Sequence, residues 1–300
     1  MYRGANALLN NRRRVIMAIF TNQATLSYRN GVVNSNIVTG EIVDSLAITK
    51  NPILPTYGYN DTVTYVINIT NSGSTVLSDL TLTDDLGTYE FGEGTRTPLT
   101  YVDGTVNYYV DGVLQPTPAV VAGPPLVISG LTVPAGGNAL VIYQAKVNEF
   151  APLSIDSTIV NTATVTGAGI AQVASAQATV TVRNEPDLAI TKALSPAVVN
   201  ENGVLTYTFT ILNYGNTEAA ATDDVVISDV FEPILDITSV TYNGTPWTEG
   251  VQYNYDEATG QFTTVAGQIT VPAATYVQDA VTGAFATVPG EAVITVTGRV

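Results

Sequence analysis

The chain has 300 residues, of which 45% are hydrophobic and only 12% are charged, and its formal net charge is −15. This acidic balance argues against nucleic acid and anionic membrane surfaces as partners, because clustered Lys and Arg side chains bind phosphate groups. The chain contains no Cys and no His, which excludes disulfides, thiolate chemistry, Ser-His-Asp triads and the usual zinc sites. We therefore expect no cofactor, no metal and no enzymatic turnover of a substrate.

The first twenty residues join a basic cluster to a short apolar run. The run, Val15 to Phe20, is shorter than the apolar stretch of about 7–15 residues in a secretory signal. It is also far shorter than the roughly 20 residues of a transmembrane helix. We interpret residues 1–20 as a disordered leader or terminal arm, with Met17 as an alternative natural start. We expect no membrane insertion.

Residues 21–43 resemble the last two strands of a β-domain, although no β-domain precedes them. A lone hairpin is at best marginally stable in water, so this segment needs a sheet to join. We therefore predict that residues 21–43 are a donor hairpin. The residues expected to contact the acceptor are Asn22, Ala24, Leu26, Tyr28, Ile37 and Val38.

Two copies of a repeat of about 140 residues follow the hairpin. DSLAITK (44–50) recurs as PDLAITK (186–192). Two more motif pairs follow in the same order, DLTLTDDL with DVVISDVF and TVPAGGNALVIYQAKV with TVPGEAVITVTGRV. Apolar and polar residues alternate with period two, and Gly, Pro, Asn and Asp separate the stretches. We predict an all-β fold with two tandem immunoglobulin-like β-sandwiches, a complete one at 44–183 and an incomplete one at 186–300.

The two copies differ in their closing hairpin. The first copy ends with VNTATVTGAGIAQVASAQATVTV (160–182), whereas the second reaches Val300 without an equivalent. NQATL (22–26) aligns with NTATV (161–165), so a spare closing hairpin stands at the N-terminus. We expect the hairpin of one chain to complete the second sandwich of the next, as an extended segment does when it joins the open edge of a partner's sheet. Head-to-tail donation does not close and forms a filament.

Two other interpretations of the spare hairpin stay open at this point. In the first, residues 21–43 pack locally on their own chain. In the second, the sequence is a truncated or permuted part of a longer repeat array. Closure within one chain requires a two-domain rod to fold back on itself, because the hairpin leads directly into the first sandwich. We therefore favour a chain whose partner is another copy of itself.

The motifs DLAITK, YTFTILNYGN, VVISDVF and VNTATV resemble the signature of a bacterial surface-protein repeat family called domain of unknown function 11. The resemblance covers nearly the whole chain after Phe20. It implies immunoglobulin-like sandwiches arrayed on the surface of bacterial cells or spores or in fibrous proteins, with no known catalytic activity. The segment MAIFTNQATLSYRNG also resembles a group of these proteins from spore-forming bacteria, which implies an extracellular spore or cell-surface location.

The first copy carries a Lys, an Asp and an Asn at positions similar to those of Gram-positive surface sandwiches that form isopeptide bonds. Lys50 lies in its first strand, Asp84 in a middle strand and Asn161 in its closing hairpin. The resemblance implies an intramolecular bond between Lys50 and Asn161. Such a bond requires a neutral amine, a nearby amide and a protonated carboxyl group. The structural alternative is a solvated strand-end Lys beside an Asp and an Asn that support turns.

The second copy has Lys192 and Asp229 at the matching positions but no matching Asn. The equivalent residue is Asn22, which the next chain would supply, so we predict an intermolecular bond between Lys192 and Asn22. The predicted function is that of a structural subunit of a bacterial surface filament, with an unidentified anchoring partner. The second interpretation is a surface adhesion or binding module that does not polymerise.

Overall fold

The computed structural model describes residues 16–43, 46–168, 170 and 172–300. Within these residues the regular structure is β-strand, apart from one short 3-10 helix at Ala221–Asp223, so the predicted all-β fold class is confirmed. Four strands precede the first sandwich: β1 (Ile16–Asn22), β2 (Thr25–Tyr28), β3 (Gly31–Asn34) and β4 (Val38–Val43).

These four strands form one long antiparallel hairpin, in which β1 pairs with β4 and β2 pairs with β3. The hairpin begins at Ile16 rather than at the predicted Thr21, because the ladder between β1 and β4 continues until Ile16 lies opposite Val43. Pairing with β4 satisfies the backbone N–H and C=O groups of the apolar run. Residues 1–15 of the predicted arm lie outside the described residues.

The hairpin exposes its side chains to solvent. Between residues 20 and 40 every position is exposed except two half-buried glycines, Gly31 and Gly40. The ring of Phe20 lies over Gly40, and the ring of Tyr28 lies over Gly31. An aromatic ring over a cross-strand glycine strengthens a ladder that has little else to pack against.

The first sandwich has two sheets that face each other across one core. One sheet has the order β13-β12-β16-β7-β5, with β11 also paired to β16, and the other has the order β14-β15-β8-β17-β18-β6. Its strands are β5 (Leu46–Pro52), β6 (Thr56–Tyr57), β7 (Thr62–Asn71), β8 (Leu77–Asp84), β9 (Tyr89–Phe91), β10 (Gly94–Arg96), β11 (Leu99–Tyr101), β12 (Asn107–Val110), β13 (Val113–Leu114), β14 (Ala119–Val121), β15 (Leu126–Val133), β16 (Asn138–Val147), β17 (Thr158–Thr166) and β18 (Ala174–Val182).

Side chains alternate between the core and the outer face along the long strands of the first sandwich. In β7 and β16 every second residue is buried, which is the period of a pleated strand with one face on a core. The strands β17 and β18 form the closing hairpin: β17 pairs with β8, and β18 packs over β5 of the opposite sheet. The closing hairpin therefore covers one end of the core.

The second sandwich has a five-stranded sheet of order β19-β20-β28-β22-β23 and a three-stranded sheet of order β21-β25-β24. The hairpin β26-β27 stands apart from both sheets. The strands are β19 (Leu188–Ser195), β20 (Val204–Asn213), β21 (Ser228–Val230), β22 (Asp236–Tyr242), β23 (Thr245–Pro246), β24 (Tyr253–Asp256), β25 (Gln261–Thr264), β26 (Thr275–Gln278), β27 (Phe285–Val288) and β28 (Gly290–Arg299).

The hairpin β26-β27 of the second sandwich lies against the first sandwich. Gln278 donates a hydrogen bond to the Tyr89 hydroxyl at 3.2 Å, and the backbone N–H of Phe285 donates to the carbonyl of Glu149 at 2.8 Å. The ring of Tyr276 packs against the first core. Side-chain packing and hydrogen bonds thus join the two sandwiches in addition to the linker.

We expect Leu82→Ala to lower the free energy of unfolding of the first sandwich by roughly 2–5 kcal/mol, because Leu82 is fully buried in β8 and its truncation leaves a cavity. Chemical denaturation measures this loss. The neighbouring Thr83 is only partly buried, so Thr83→Ala is the control and should cost about 1 kcal/mol or less. Equal losses for the two variants would contradict the described packing.

Candidate functional site

An ion pair inside the first sandwich connects the two sheets. Lys50 comes from β5 and Asp84 from the end of β8, and the Lys50 Nζ lies 2.7 Å from Asp84 Oδ2. Both side chains are fully buried. Charged side chains are almost never buried to this degree unless they are paired. The alternative of a solvated strand-end lysine is therefore wrong for Lys50.

The predicted Asn161 lies in the same buried cluster, where a tyrosine connects it to the ion pair. The Tyr143 hydroxyl donates a hydrogen bond to Asp84 Oδ2 at 2.8 Å, and Asn161 Nδ2 donates to that hydroxyl at 3.0 Å. Asn161 Oδ1 is buried without a hydrogen-bond partner. The structure thus brings the predicted Lys, Asp and Asn of the first copy together and adds Tyr143, which the sequence analysis did not single out.

Burial shifts the pKa values of Lys50 and Asp84 in opposite directions. It lowers the pKa of Lys50, against the opposing attraction of Asp84, and it raises the pKa of Asp84, against the attraction of Lys50. Removing an amine and a carboxyl group from water disfavours the charged form of each. Burial therefore shifts both groups towards their uncharged forms, and the uncharged amine is the nucleophilic form of lysine.

The closing hairpin β17-β18 buries the inner face of β5. Leu46, at the start of β5, is 5% exposed, and the Lys50 side chain is 0% exposed. Asn161 stands on β17 of the same hairpin. One structural element therefore supplies the amide and also excludes water from the amine and the acid.

The second sandwich repeats the ion pair without this cover. Lys192 on β19 contacts Asp229 on β21, and its ammonium group lies 4.3 Å from the centre of the Tyr207 ring. Its side chain is 39% exposed. Leu188, at the position of Leu46, is also 39% exposed. The structure brings Lys192 and Asp229 together in a half-open setting, where a strand-end lysine keeps contact with solvent.

The open side of the second sandwich is the place where the first sandwich has its closing hairpin. In the first sandwich β8 pairs with β15 on one side and β17 on the other, whereas the equivalent β21 pairs with β25 alone among the strands that the structure describes. We call the open face the surface formed by Leu188, Ile190, Lys192, Asp229 and the unpaired edge of β21. An unpaired edge beside exposed apolar side chains is a template for another strand.

The N-terminal hairpin is a two-stranded antiparallel element like the closing hairpin, and its NQATL segment (22–26) aligns with NTATV (161–165) of that hairpin. Phe20 pairs with Gly40 and Asn22 pairs with Val38; at the aligned positions of the closing hairpin, Ile159 pairs with Val180 and Asn161 with Ala178. The hairpin differs in a break at residues 23–24 between β1 and β2. Across this break the pairing shifts by one residue, since Thr25 pairs with Asn34, whereas the ladder between β17 and β18 is continuous. The backbone of the hairpin is therefore already paired, with an irregularity that the closing hairpin does not have.

The predicted donor residues are exposed in the single chain. Asn22 lies on β1 with its side chain in solvent, and its described contacts do not include Lys192. The structure of one chain therefore does not bring together the predicted Lys192, Asp229 and Asn22. The other predicted donor residues are exposed as well: Ala24, Leu26, Tyr28, Ile37 and Val38.

The described residues offer neither a metal site nor a membrane-spanning helix. They contain no group of three or more Asp or Glu side chains arranged to hold a metal ion. Among the same residues, no helix has the length and apolar character needed to cross a membrane.

Comparison with known proteins finds no matching family model and no matching curated protein. The likeness to domain of unknown function 11 therefore stays a resemblance of motifs. Solved structures similar to this chain include the major pilin subunit of Bacillus cereus, at 11% identity over 90% of this chain and 73% of that chain, with a TM-score of 0.37. The pilus backbone protein of Streptococcus pneumoniae is similar at 14% identity over 81% and 55%, with a TM-score of 0.33.

A collagen-binding domain from a Staphylococcus aureus adhesin is also similar, at 18% identity over 47% of this chain and 97% of that chain, with a TM-score of 0.29. With TM-scores this low, these likenesses support no conclusion about function. The function of this chain has to be argued from its own residues.

We expect Asp84→Ala to lower the free energy of unfolding of the first sandwich by about 3–5 kcal/mol, because it leaves the buried Lys50 without its counter-ion. Asp229→Ala is the matched control, and it should cost about 1 kcal/mol or less, since Lys192 keeps contact with water. Denaturant titration of both variants checks this. A larger loss for Asp229→Ala than for Asp84→Ala would contradict the assignment of buried and open sites.

Proposed function

We propose that this protein is the structural subunit of a bacterial surface filament, in which the N-terminal hairpin of one chain completes the second sandwich of the next. The observation that carries this proposal is that none of the described strands covers the open face, while the chain holds a solvent-exposed antiparallel hairpin whose first half aligns with the closing hairpin. Both surfaces are costly when left in water. Docking removes both costs.

The first sandwich specifies how the hairpin would dock. There, Ala163 lies opposite Asp84 and Val165 lies opposite Leu82. The aligned residues place Ala24 opposite Asp229 and Leu26 opposite Ile227 of the neighbouring chain. In this register the side chains of Phe20, Asn22, Ala24 and Leu26 take the positions of four buried residues of the closing hairpin: Ile159, Asn161, Ala163 and Val165.

Both surfaces present exposed apolar side chains, three on the hairpin and two on the open face. Phe20, Leu26 and Val38 on the hairpin and Leu188 and Ile190 on the open face are all exposed in the single chain. Fully burying a side chain of this kind is worth about 1.5–3 kcal/mol. Association costs roughly 4–15 kcal/mol in lost motion, and a hairpin that is already paired adds little further ordering cost. The apolar contacts are therefore large enough to drive docking.

The path of the chain supports a head-to-tail arrangement. The closing hairpin of the first sandwich ends at Val182 and leads within a few residues into β19. The N-terminal hairpin leads in the same way into β5 of its own first sandwich. A hairpin docked on a neighbour would therefore place the next first sandwich directly beyond that neighbour's second sandwich. Repetition of this step gives an unbranched filament.

Isopeptide bonds would seal such a filament. In the first sandwich the neutral Lys50 amine would attack the side-chain amide of Asn161, with loss of ammonia and with Asp84 as the acid. At each joint Asn22 of the incoming hairpin would reach Lys192 and Asp229, and the hairpin would exclude water from them. A chain without Cys has no disulfide with which to lock its joints.

The proposed setting is the bacterial spore or cell surface, which the motif resemblance favours. A second candidate function is an adhesion module that binds through an exposed sheet and does not polymerise. The exposed surface of the hairpin and of the open face favours the filament, since an adhesin has no need of both. Catalytic turnover of a substrate is no part of the proposal.

We expect the full chain to polymerise on purification, whereas a chain that lacks residues 1–43 stays monomeric because it keeps the open face but has no donor. Negative-stain microscopy and size-exclusion chromatography of both proteins test this. Leu26→Asp is the point variant, since it puts a charge on the docking face of an otherwise intact hairpin. Filaments from the truncated chain would contradict the proposal, and a monomeric full chain would favour the adhesion module.

The docking register predicts a specific disulfide between neighbouring chains. Thr25 should lie opposite Ser228, as Thr164 lies opposite Thr83. Thr25→Cys with Ser228→Cys should give ladders of cross-linked chains on a non-reducing gel. Thr25→Cys with Val230→Cys is the control, because a shift of two residues exceeds the reach of a disulfide. A cross-link confined to monomers would instead show that the hairpin packs on its own chain.

A further inference from the structure

Tyr143 is a buried titratable residue that lies between two groups of the proposed bond-forming site. Its hydroxyl lies 2.8 Å from Asp84 Oδ2 and 3.0 Å from Asn161 Nδ2. Nδ2 is the atom that leaves as ammonia when Lys50 attacks the amide. The hydroxyl therefore stands between the acid and the leaving group. Buried tyrosine hydroxyl groups are often hydrogen-bonded for packing reasons alone, but these two partners are both reacting groups.

The second sandwich has no hydroxyl at the equivalent position. Tyr65 pairs with Tyr143 in the first sandwich, and the equivalent Tyr207 pairs with Val296 in the second. Val296 thus stands at the position of Tyr143, and both side chains are fully buried. The fold therefore does not require a tyrosine here, which is a reason to look for a chemical role at Tyr143.

We propose that Tyr143 is a catalytic residue of isopeptide formation, which relays a proton from Asp84 to the departing nitrogen of Asn161. This inference rests on the proposed bond between Lys50 and Asn161. Its geometry is a continuous hydrogen-bonded chain from the Lys50 amine through the Asp84 carboxyl group and the Tyr143 hydroxyl to Nδ2.

The proton balance of the step is complete without any outside reactant. The Lys50 ammonium first gives one proton to the Asp84 carboxylate, which leaves a neutral amine beside a protonated acid. The amine attacks Cγ of Asn161 and forms the new C–N bond. Asp84 then passes its proton through the Tyr143 hydroxyl to Nδ2 and accepts a proton from the attacking nitrogen. The Cγ–Nδ2 bond breaks, and the products are a secondary amide, ammonia and a protonated Asp84.

A kinetic experiment with two matched variants tests this role. The full chain is produced in a short cell-free synthesis pulse, and intact-mass spectrometry follows the loss of one ammonia from the first sandwich over time. Tyr143→Phe keeps the ring and removes the relay, so the rate should fall by about 10²-fold or more. Tyr101→Phe removes a hydroxyl from the ring that packs beside Tyr143 and should react as the wild type does.

The outcomes separate the relay from the bond itself. A wild-type chain that never loses ammonia overturns the proposed Lys50–Asn161 bond and this inference with it. A wild-type chain that reacts while Tyr143→Phe reacts equally fast overturns the relay alone. Peptide mapping of the product must place the cross-link at Lys50 and Asn161, since a cross-link elsewhere also contradicts the inference.

A second measurement needs no variant and applies even where Tyr143→Phe does not fold. The wild-type rate is measured in mixtures of light and heavy water. A relay that transfers two protons in one step gives a curved dependence of the rate on the deuterium fraction, whereas a direct transfer from Asp84 gives a straight line and contradicts the relay. The same reasoning predicts that the bond between Lys192 and Asn22 forms more slowly, because Val296 offers no hydroxyl.

Discussion

Burial of a lysine inside a β-sandwich is the constraint on which the rest of this structure depends. The closing hairpin excludes water from Lys50 in the core of the first sandwich, and Lys50 is tolerated there because Asp84 pairs with it. Without that hairpin the same pair is half-open, as Lys192 and Asp229 show. The presence or absence of one two-stranded element thus decides how far the ion pair is exposed to solvent.

This dependence couples the proposed assembly to the proposed chemistry. A hairpin that docks on the open face would bring Asn22 and remove water from Lys192 in a single event. An undocked joint would leave the Lys192 side chain partly exposed to solvent and without an amide partner. In the proposed filament only correctly completed joints would therefore be sealed, and the first sandwich of the same chain provides the folded reference for such a joint.

Repetition and period-two alternation made the fold class predictable from the sequence, because each long strand has one face on a core and one in solvent. The proximity of Lys50, Asp84 and Asn161 followed from motif resemblance. Tyr143 was not predicted as a site residue, because the alternating pattern of β16 is typical of any strand that faces a core. The second copy of the repeat has Val296 instead, so the repeat gave no signal at this position. The docking of β26-β27 on the first sandwich depends on tertiary contacts such as Gln278 with Tyr89, which no local pattern encodes.

The proposed filament requires that the open face of the second sandwich accept the N-terminal hairpin. Its most direct test is the thermal unfolding of the second sandwich in a chain that lacks residues 1–43, measured with increasing amounts of a synthetic peptide of residues 16–43. We expect the unfolding temperature to rise with peptide concentration, whereas a peptide carrying Leu26→Asp should have no effect. An unfolding temperature that stays constant at saturating peptide would contradict the account.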